Sequence, residues 1–362
     1  MKLKVLELFG GIGACSKALE RLGIDYEIAD YVEIDKYAVK SFNAIHNTNF
    51  EPQDICNWDK DIEVDLIMHG SPCQDFSLAG KQAGGDKDSG TRSSLMYETI
   101  RIVKKLKPKY VIWENVKNLL SKKHRHNFDA YLETMASLGY TNYYQVLNAK
   151  DYGIPQNRER VFTISILGND NYEFPNKQEL KLKLKDMLED EVDEKYYLSD
   201  IQIKRIETTT YNVGKTRIQK KEWCDTLCAR DWKDPKCVQV GTLDIKGMDC
   251  VKRVYSDEGL SPTLTDMQGG NRQPKIIDTN FSRHREYSEY SCAIDTYANK
   301  LKVENDCRIR KLTPKECWRL MGFDDSDFEK AEKVNSNTQL YKQAGNSIVV
   351  NVLEAILKNL LF

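Results

Sequence analysis

The sequence predicts an α/β fold: a doubly wound, mostly parallel β-sheet followed by a smaller, irregular β-rich domain. Apolar runs of strand length alternate with amphipathic helical segments through the first 170 residues. Residues 200–305 instead consist of short segments rich in Thr, Gly, Asp and Tyr, without a helical period. Because alternating strands and helices are typical of parallel sheets, the change near residue 200 predicts a second domain.

The first domain divides into strand and helix segments in the order that a doubly wound sheet requires. Predicted strands cover residues 3–8, 26–33, 64–69 and 110–116, and a late hairpin covers residues 143–149 and 160–167. Predicted helices cover residues 14–22, 35–46, 93–107 and 128–138. In the helix at 93–107, Met96, Ile100, Val103 and Leu106 share one apolar face, and Pro108 ends the helix.

The second half of the chain predicts a bridge, the second domain and a return to the first domain. Residues 180–195 are strongly charged and predict a helical bridge. Thr313-Pro314-Lys315-Glu316 is a capping box with proline at the first helical position, and Gly322 ends that helix. An apolar face in a last helix at 347–361 predicts packing on the first domain. We therefore expect one domain from residues 1–180 plus 338–362, and a second from residues 181–337 with hinge segments.

Composition limits the classes of protein to which the chain can belong. The formal net charge is −1, and 40% of the residues are hydrophobic, which is enough for a sizeable core. Residues 201–310 carry 20 Lys and Arg against 16 Asp and Glu, an excess that permits nucleic-acid binding without requiring it. No apolar run approaches the roughly 18 residues of a membrane span. Met1-Lys2-Leu3-Lys4 leads straight into a strand, so we expect neither a membrane anchor nor a signal peptide.

The ten cysteines are scattered along the chain, which favours reduced thiols in a cytoplasmic protein over a disulfide framework. Cys224, Cys228, Cys237 and Cys250 leave a zinc site open as an alternative. Their spacing is loose and no pair of histidines accompanies them, so we expect no metal.

One cysteine lies where chemistry is expected. Gly70-Ser71-Pro72-Cys73-Gln74-Asp75 follows a buried strand, and the ends of strands in open α/β sheets are where ligands bind. Cys73 is therefore a candidate nucleophile. The alternative is a buried structural cysteine, which is the commoner role of this residue type.

Three successive strand ends carry residues that suit a nucleoside-type ligand. Phe9-Gly10-Gly11-Ile12-Gly13 joins the first strand to the first helix, where glycines allow close backbone approach. Ser16 stands where the dinucleotide fingerprint needs glycine, which disfavours a dehydrogenase. Glu33 can accept ribose hydroxyls, and Asp54-Ile55 can bind an adenine amino group. A packing turn and two surface acids are the alternatives, but the order of the three predicts an S-adenosylmethionine pocket.

Two further segments place ionisable groups at strand ends. Trp113-Glu114-Asn115-Val116 puts an acid at the end of an apolar strand, where burial beside Cys73 would raise its pKa and let it donate a proton. Arg158 and Arg160, in Gln-Asn-Arg-Glu-Arg, are two residues apart and point to one face of a strand. A solvated acid and a surface ion pair are the alternatives.

Together these motifs resemble the cytosine-5 DNA methyltransferase family along essentially the whole chain. The family order is Phe-Gly-Gly-Ile-Gly, Pro-Cys-Gln, Glu-Asn-Val, Gln-Asn-Arg-Glu-Arg, the block from Arg310 to Phe323, and Gly345-Asn346-Ser347. The departures are Glu7 where Asp is frequent, Ala14 where Gly is common, and Asp324 where Pro is usual. None of them falls on a catalytic position of the family.

The resemblance implies a fold, a reaction and a set of site residues. The fold is a Rossmann-like S-adenosylmethionine-dependent methyltransferase sheet with a β-rich target-recognition domain, and the reaction is methyl transfer to C5 of a cytosine flipped out of duplex DNA. The implied catalytic residues are Cys73, Glu114, Arg158 and Arg160. The implied cofactor-binding residues are Phe9, Gly11, Ile12, Gly13, Glu33, Ile34, Asp54, Ile55, Pro72, Leu95, Asn346 and Ser347. The implied DNA-binding residues are Gln74, Ser77, Lys81, Arg92, Arg230 and Arg272.

The resemblance also frames the partners of the chain and the alternatives. It implies double-stranded DNA as partner, a monomer, and action in the cytoplasm of a bacterium or a phage-infected cell. Whether a cognate restriction endonuclease acts separately stays open at this point. Two other functions also stay open: a tRNA cytosine-5 methyltransferase, as in one branch of the family, and a decayed homologue that binds nucleic acid without turnover.

Overall fold

The structure is a computed structural model that describes residues 2–72, 92–198, 239–242, 253–257, 259–264, 273–278 and 308–362. Its main body is a six-stranded sheet formed by β1 (Leu3–Leu8), β2 (Tyr26–Val32), β3 (Leu66–His69), β4 (Tyr110–Val116), β5 (Tyr140–Asn148) and β6 (Glu159–Leu167). The strand order is β2-β1-β3-β4-β6-β5. The first four strands are parallel, and β6 and β5 form an antiparallel hairpin at one edge. The predicted α/β sheet and its late hairpin are therefore confirmed.

Helices cover both faces of this sheet. The first domain supplies α1 (Ala14–Arg21), α2 (Lys36–His46), α3 (Met96–Leu106) and α4 (Arg125–Ser137). The C-terminal part supplies α5 (Pro314–Arg319), α6 (Asp325–Glu332), α7 (Asn337–Asn346) and α8 (Val350–Leu361). Consecutive strand residues pack on opposite faces, so Ile112 joins the apolar cluster under α8 while Trp113 joins the cluster under α3 and α4. In the described part of the chain, no helix is long and apolar enough to cross a membrane.

A second sheet lies in the described fragments of the second half. It consists of β7 (Gln239–Thr242), β8 (Arg253–Ser256), β9 (Lys275–Asp278) and β10 (Arg308–Lys311), in the order β10-β9-β8-β7. Only the pair β8–β9 is parallel among these four strands. Strands in this segment agree with the prediction of a β-rich region.

The predicted helical bridge at 180–195 is wrong. Instead of an α-helix, the segment contains two short 3-10 turns, Leu184–Met187 and Glu194–Tyr196. The backbone N–H groups of Leu184 and Lys185 donate to the carbonyls of Gly259 and Asp257, which ties the segment to the second sheet. These tertiary hydrogen bonds outweigh the weak helix preference of the charged sequence.

The C-terminal elements begin where local signals place them. The side chain of Thr313 accepts a hydrogen bond from the Glu316 N–H, and Glu316 reaches back to the Thr313 N–H, so the predicted capping box is confirmed. Gly322 follows α5 with a φ of 81°, the left-handed conformation that glycine tolerates. The last helix, α8, begins at Val350, three residues later than predicted, and packs against α1 as predicted. Helices α6 and α7 were not predicted.

A buried ion pair joins the second sheet to α5. Both Arg310 and Glu316 have side chains that are 0% exposed, and the guanidinium donates to both carboxylate oxygens, at 2.7 and 2.8 Å. Glu316 also accepts from the N–H groups of Thr313 and Glu189. One carboxylate therefore holds β10, the start of α5 and the segment at 189 together.

We expect Glu316→Gln to reduce the free energy of unfolding by about 3–5 kcal/mol, because the Arg310 charge stays buried without a counter-charge. Urea unfolding of the whole chain measures this. The matched control is Glu63→Gln, which breaks the pair between Lys4 and a Glu63 side chain that is 87% exposed, and should change little. Equal effects of the two substitutions would contradict the structural role of Glu316.

A second buried carboxyl, Glu7, fixes the start of α1. One of its oxygens accepts from both the backbone N–H and the hydroxyl of Ser16. Burial raises the pKa of Glu7 to about 7 from its ordinary value of 4.5, against the opposing effect of the Ser16 hydrogen bonds. The folded state therefore holds a proton on Glu7 over a pH range in which the unfolded chain loses it.

This difference makes stability depend on pH in a stated direction. The contribution of Glu7 is complete below about pH 4.5 and is lost as the pH rises through about 7. We expect Glu7→Gln, which stays neutral, to be more stable than the parent chain at about pH 8, by up to about 3 kcal/mol. The difference should be much smaller at about pH 5. Urea unfolding of both proteins at the two pH values tests this, and a less stable variant at pH 8 would contradict it.

Candidate active site

The candidate site begins on one row of residues across the parallel strands. Val32, Leu8, His69 and Trp113 are aligned on β2, β1, β3 and β4. The residues that directly follow them are Glu33, Phe9, Gly70 and Glu114. Four predicted motifs therefore meet at the carboxyl edge of the sheet, which is where open α/β sheets bind ligands.

Glu114 and Arg160 form a partly buried ion pair on this edge. The Arg160 Nε lies 3.0 Å from the Glu114 Oε1, and the two side chains are 17% and 12% exposed. Burial raises the pKa of Glu114, while the positive charges of Arg160 and Arg158 oppose that rise. A Cβ atom added at Gly70 would lie 3.8 Å from the Glu114 Oε2, so this carboxyl borders the turn that leads to Cys73.

Arg158 is buried and joins three segments of the chain. Its guanidinium donates to the carbonyls of Leu264 at 2.9 Å, Gly345 at 3.1 Å and Ser347 at 2.8 Å. Leu264 belongs to the second half of the chain, whereas Gly345 and Ser347 flank the end of α7. The alternative of a solvated ion pair does not describe this arginine, because only 4% of it is exposed.

The glycine turn and Glu33 form the other half of the site. Phe9, Gly11 and Gly13 adopt positive φ values of 53°, 56° and 81°. The Gly11 N–H donates to the Glu33 Oε2 at 3.2 Å, and the Asp35 N–H donates to the Glu33 Oε1 at 2.8 Å. Gly13 allows close packing of α2, since a Cβ atom there would lie 2.2 Å from the His46 Nε2.

The neighbouring residues suit a nucleoside. Ile34, the residue after Glu33, is 68% exposed and so presents an apolar side chain to solvent. The Asp54 side chain accepts from the Cys56 N–H, and Ile55 is buried beneath it. The Gln53 N–H donates to the Glu33 carbonyl at 2.9 Å, so Asp54, the next residue, lies near Glu33. A carboxylate for ribose, an exposed apolar side chain and a second acid fit S-adenosylmethionine.

The remaining cofactor-binding candidates lie on several segments and differ in burial. Ile12 is buried beneath the glycine turn, and Leu95 packs on the apolar cluster below α3. Pro72 is half-buried at the end of the described turn. Asn346 is exposed at the end of α7, and Ser347 is buried beside Arg158.

Several predicted residues lie outside the described residues. They are Cys73, Gln74, Ser77, Lys81, Arg230 and Arg272, together with the cysteines of the zinc alternative at 224, 228, 237 and 250. Arg92 begins a short 3-10 turn, Arg92–Leu95. Within the described ranges, no three His, Cys, Asp or Glu side chains come together as a metal site.

Three residues of the site escaped the sequence prediction. Tyr31 donates its hydroxyl to the Gly11 carbonyl at 2.6 Å. Its position two residues before Glu33, on the same strand face, was the available signal. Trp113 and Ser71 form a buried hydrogen bond of 2.9 Å, and nothing in either local sequence indicates that pairing.

Comparisons with known proteins agree with this geometry. The family model described as C-5 cytosine-specific DNA methylase matches residues 3–361. Among solved structures, a methyltransferase of Entamoeba histolytica superposes with a TM-score of 0.69 at 16% identity, covering 99% of this chain and 98% of that chain. A putative DNA modification methyltransferase of an Escherichia coli prophage superposes with a TM-score of 0.58 at 21% identity, covering 99% and 98%. Both likenesses show the fold.

Curated relatives extend the match to sequence. An orphan methyltransferase of Bacillus phage SPbeta, M.SPBetaI, is 36% identical, covering 99% of this chain and 98% of the relative. The type II methyltransferase M.HhaI of Haemophilus parahaemolyticus is 33% identical, covering 99% and 94%. With the strand-end row, the Glu114–Arg160 pair and the glycine turn in place, these matches show that the chain belongs to the C-5 cytosine-specific DNA methylase family.

Proposed function

We propose that this chain transfers a methyl group from S-adenosylmethionine to C5 of a cytosine in double-stranded DNA. The observation that carries the proposal is the Glu114–Arg160 pair on the sheet edge, next to the turn that leads into Pro72-Cys73. The description of the family model, C-5 cytosine-specific DNA methylase, supports the substrate, and the names of the relatives from phage SPbeta and Haemophilus parahaemolyticus support methyl transfer.

The cofactor would lie in the pocket at the ends of β1 and β2. Glu33 would accept the ribose hydroxyls, Ile34 would cover the adenine ring, and Asp54 would accept from the adenine amino group. Gly11 and Gly13 would let the backbone approach the ligand. When bound, S-adenosylmethionine supplies a methyl group on a positively charged sulfur.

Cys73 would act as the nucleophile, because C5 of an aromatic cytosine is itself a poor one. Its thiolate forms a bond to C6, and the electron pair moves so that C5 can accept the methyl group. The C5 proton then passes to a base, for which water is a candidate, and the thiolate leaves C6 as the ring double bond returns. A free cysteine has a pKa of about 8.5, so positive charge near the thiol must favour the thiolate.

Glu114 and the arginines would manage the charge that develops on the ring. Burial raises the pKa of Glu114, so its carboxyl can donate a proton to N3 of cytosine while Cys73 adds at C6. Arg160 would bind the O2 side of the base and holds the Glu114 carboxyl in place. Arg158 anchors the start of β6, because its guanidinium donates to the backbone carbonyls of Leu264, Gly345 and Ser347.

The target base has to leave the duplex, because stacked bases hide C5 and C6 from a pocket. We assign this step to residues 74–92, which contain four glycines and the cations Lys81, Lys87 and Arg92. Gln74, Ser77, Lys81 and Arg92 would contact the DNA there. Residues 181–337 would form the target-recognition domain with its hinges, in which Arg230 and Arg272 are candidate readers of guanine.

Other proposals concern partners and alternatives. We propose a monomer that acts on cytoplasmic DNA, with any cognate restriction endonuclease acting as a separate protein. A tRNA substrate and a decayed binder without turnover are the alternatives, and methylation of DNA and tRNA in parallel assays separates the three.

We expect Cys73→Ala to abolish methyl transfer and to retain DNA binding, because it removes only the nucleophile. Glu114→Gln should lower turnover by about 10²-fold or more and leave cofactor binding nearly unchanged. Bisulfite sequencing of a plasmid from a methylation-free bacterial host measures activity and target sequence together. Cys56→Ala is the control, since Cys56 is an exposed thiol that the mechanism does not use. A Cys73→Ala variant that still methylated DNA would refute the mechanism.

Replacing residues 200–305 with the corresponding segment of a relative should move sequence specificity to that of the donor. The same bisulfite experiment measures the methylated sequence context. An active chimera that kept the original context would contradict the assignment of this segment to target recognition.

A further inference from the structure

We infer that Trp113 is a positioning residue for the proposed methyl transfer, and that it acts by holding Ser71, two residues before Cys73. The inference rests on the proposed function, because its consequence is measured on the step that Cys73 performs. Three observations carry it: the hydrogen bonds onto Ser71, the fixed orientation of the indole ring, and the position of both residues beside Glu114.

Two residues of β4 donate hydrogen bonds to Ser71, one to its side chain and one to its backbone. The Trp113 Nε1 donates to the Ser71 hydroxyl oxygen at 2.9 Å, and the Asn115 Nδ2 donates to the Ser71 carbonyl at 3.3 Å. Ser71 is 3% exposed, and Trp113 and Asn115 are each 1% exposed. In such a buried place the indole N–H has no water to replace a lost acceptor, so the pairing is costly to break.

The indole ring has no freedom to turn away from Ser71. It lies parallel to the His69 ring, at 5.7 Å between centroids and 5° between planes. Tyr131 packs on it at 4.2 Å and Phe128 at 5.9 Å. The His69 Nε2 also lies 3.3 Å from the Tyr131 hydroxyl, so two of the rings that contact the indole are hydrogen-bonded to each other. Packing against these three rings fixes the direction in which the indole N–H points.

The same strand carries the proposed acid on its opposite face. Trp113 and Asn115 point to one side of β4 and Glu114 to the other, because strand side chains alternate. Glu114 pairs with Arg160, while its two neighbours hold the backbone of the turn. Ser71, which precedes Pro72-Cys73, and the Glu114 carboxyl are therefore both held by residues 113–115 of β4. Their separation is set by β4 itself.

A hydrogen bond that sets the geometry of a reacting group acts on the chemical step. Displacement of a nucleophile by about 1 Å can cost about 10²-fold in rate. We expect Trp113→Phe, which keeps an aromatic ring and removes the N–H, to lower the single-turnover rate of methyl transfer by about 10- to 100-fold. The KM for S-adenosylmethionine should change less than about threefold, because Pro72 alone among the proposed cofactor-binding residues adjoins Ser71, whereas the glycine turn, Glu33 and Asp54 lie on other segments.

The matched control is Tyr140→Phe, which also keeps an aromatic ring and removes one buried donor. Tyr140 is 4% exposed and donates its hydroxyl to the Pro108 carbonyl at 2.7 Å, but it pairs with Leu167 at the end of the sheet opposite Glu114. Both substitutions should lower the melting temperature, whereas only Trp113→Phe should slow methyl transfer. Ser71→Ala removes the acceptor and leaves the indole ring, so it tests the same bond without disturbing the aromatic cluster. The double variant Ser71→Ala with Trp113→Phe should be no slower than the slower single variant.

The experiment uses the whole chain and its own DNA target, with covalent trapping on DNA that carries 5-fluorocytosine. A base can remove a proton from C5 but cannot remove fluorine from it. The Cys73 adduct therefore persists, and its rate of formation is measured directly. Slow trapping by Trp113→Phe and Ser71→Ala, with normal trapping by Tyr140→Phe, supports the inference. Normal trapping by Ser71→Ala would overturn it, whatever happens to the stability of Trp113→Phe. An inactive parent chain, or an active Cys73→Ala variant, would instead refute the proposed function.

Discussion

The candidate site depends on one buried cation, the guanidinium of Arg158. A guanidinium does not lose its proton in a protein, so its burial must be compensated by acceptors. The compensation comes from backbone carbonyls at 264, 345 and 347. Because these acceptors belong to a segment of the second half and to the end of α7, the charge can be buried only when both segments lie against β6. The position of Arg160, two residues further along the chain and on β6, follows from that assembly.

Side chains of β4 alternate between its two faces, and the two faces have different roles in the candidate site. Glu114 points toward Arg160 and the edge of Gly70, where a substrate carbonyl and ring nitrogen would lie. Trp113 and Asn115 point the other way and hold Ser71 from beneath. A one-residue slip of β4 would exchange these roles completely, so its register with β3 and β6 is a condition for the chemistry. The apolar clusters on both faces of the sheet specify that register.

Local signals in the sequence predicted the elements well, and contacts distant in the sequence account for what was missed. The strands at 3–8 and 110–116 and the capping box at Thr313 were predicted correctly, because period, burial and capping act within a few residues. The segment at 180–195 was predicted wrongly, because its backbone forms hydrogen bonds with Asp257 and Gly259, which are distant in the sequence. The spacing of Arg158 and Arg160 predicted a shared face, but not that one of the two is buried among carbonyls. Trp113 and Ser71 are 42 residues apart, and their pairing emerges only from the alignment of β3 with β4.

The electrostatics of Glu114 follow from two opposing effects. Burial raises its pKa, whereas Arg160 at 3.0 Å and the nearby Arg158 favour its charged form. The free energies of the protonated and ionised carboxyl are therefore brought closer together at neutral pH than they are in water. A carboxyl with a raised pKa holds a proton more readily than one in water, and we propose that Glu114 gives this proton to N3 of a cytosine as the ring gains electrons. Arg160 is the counter-charge for the ionised acid, and in the proposed reaction it would also donate to the base.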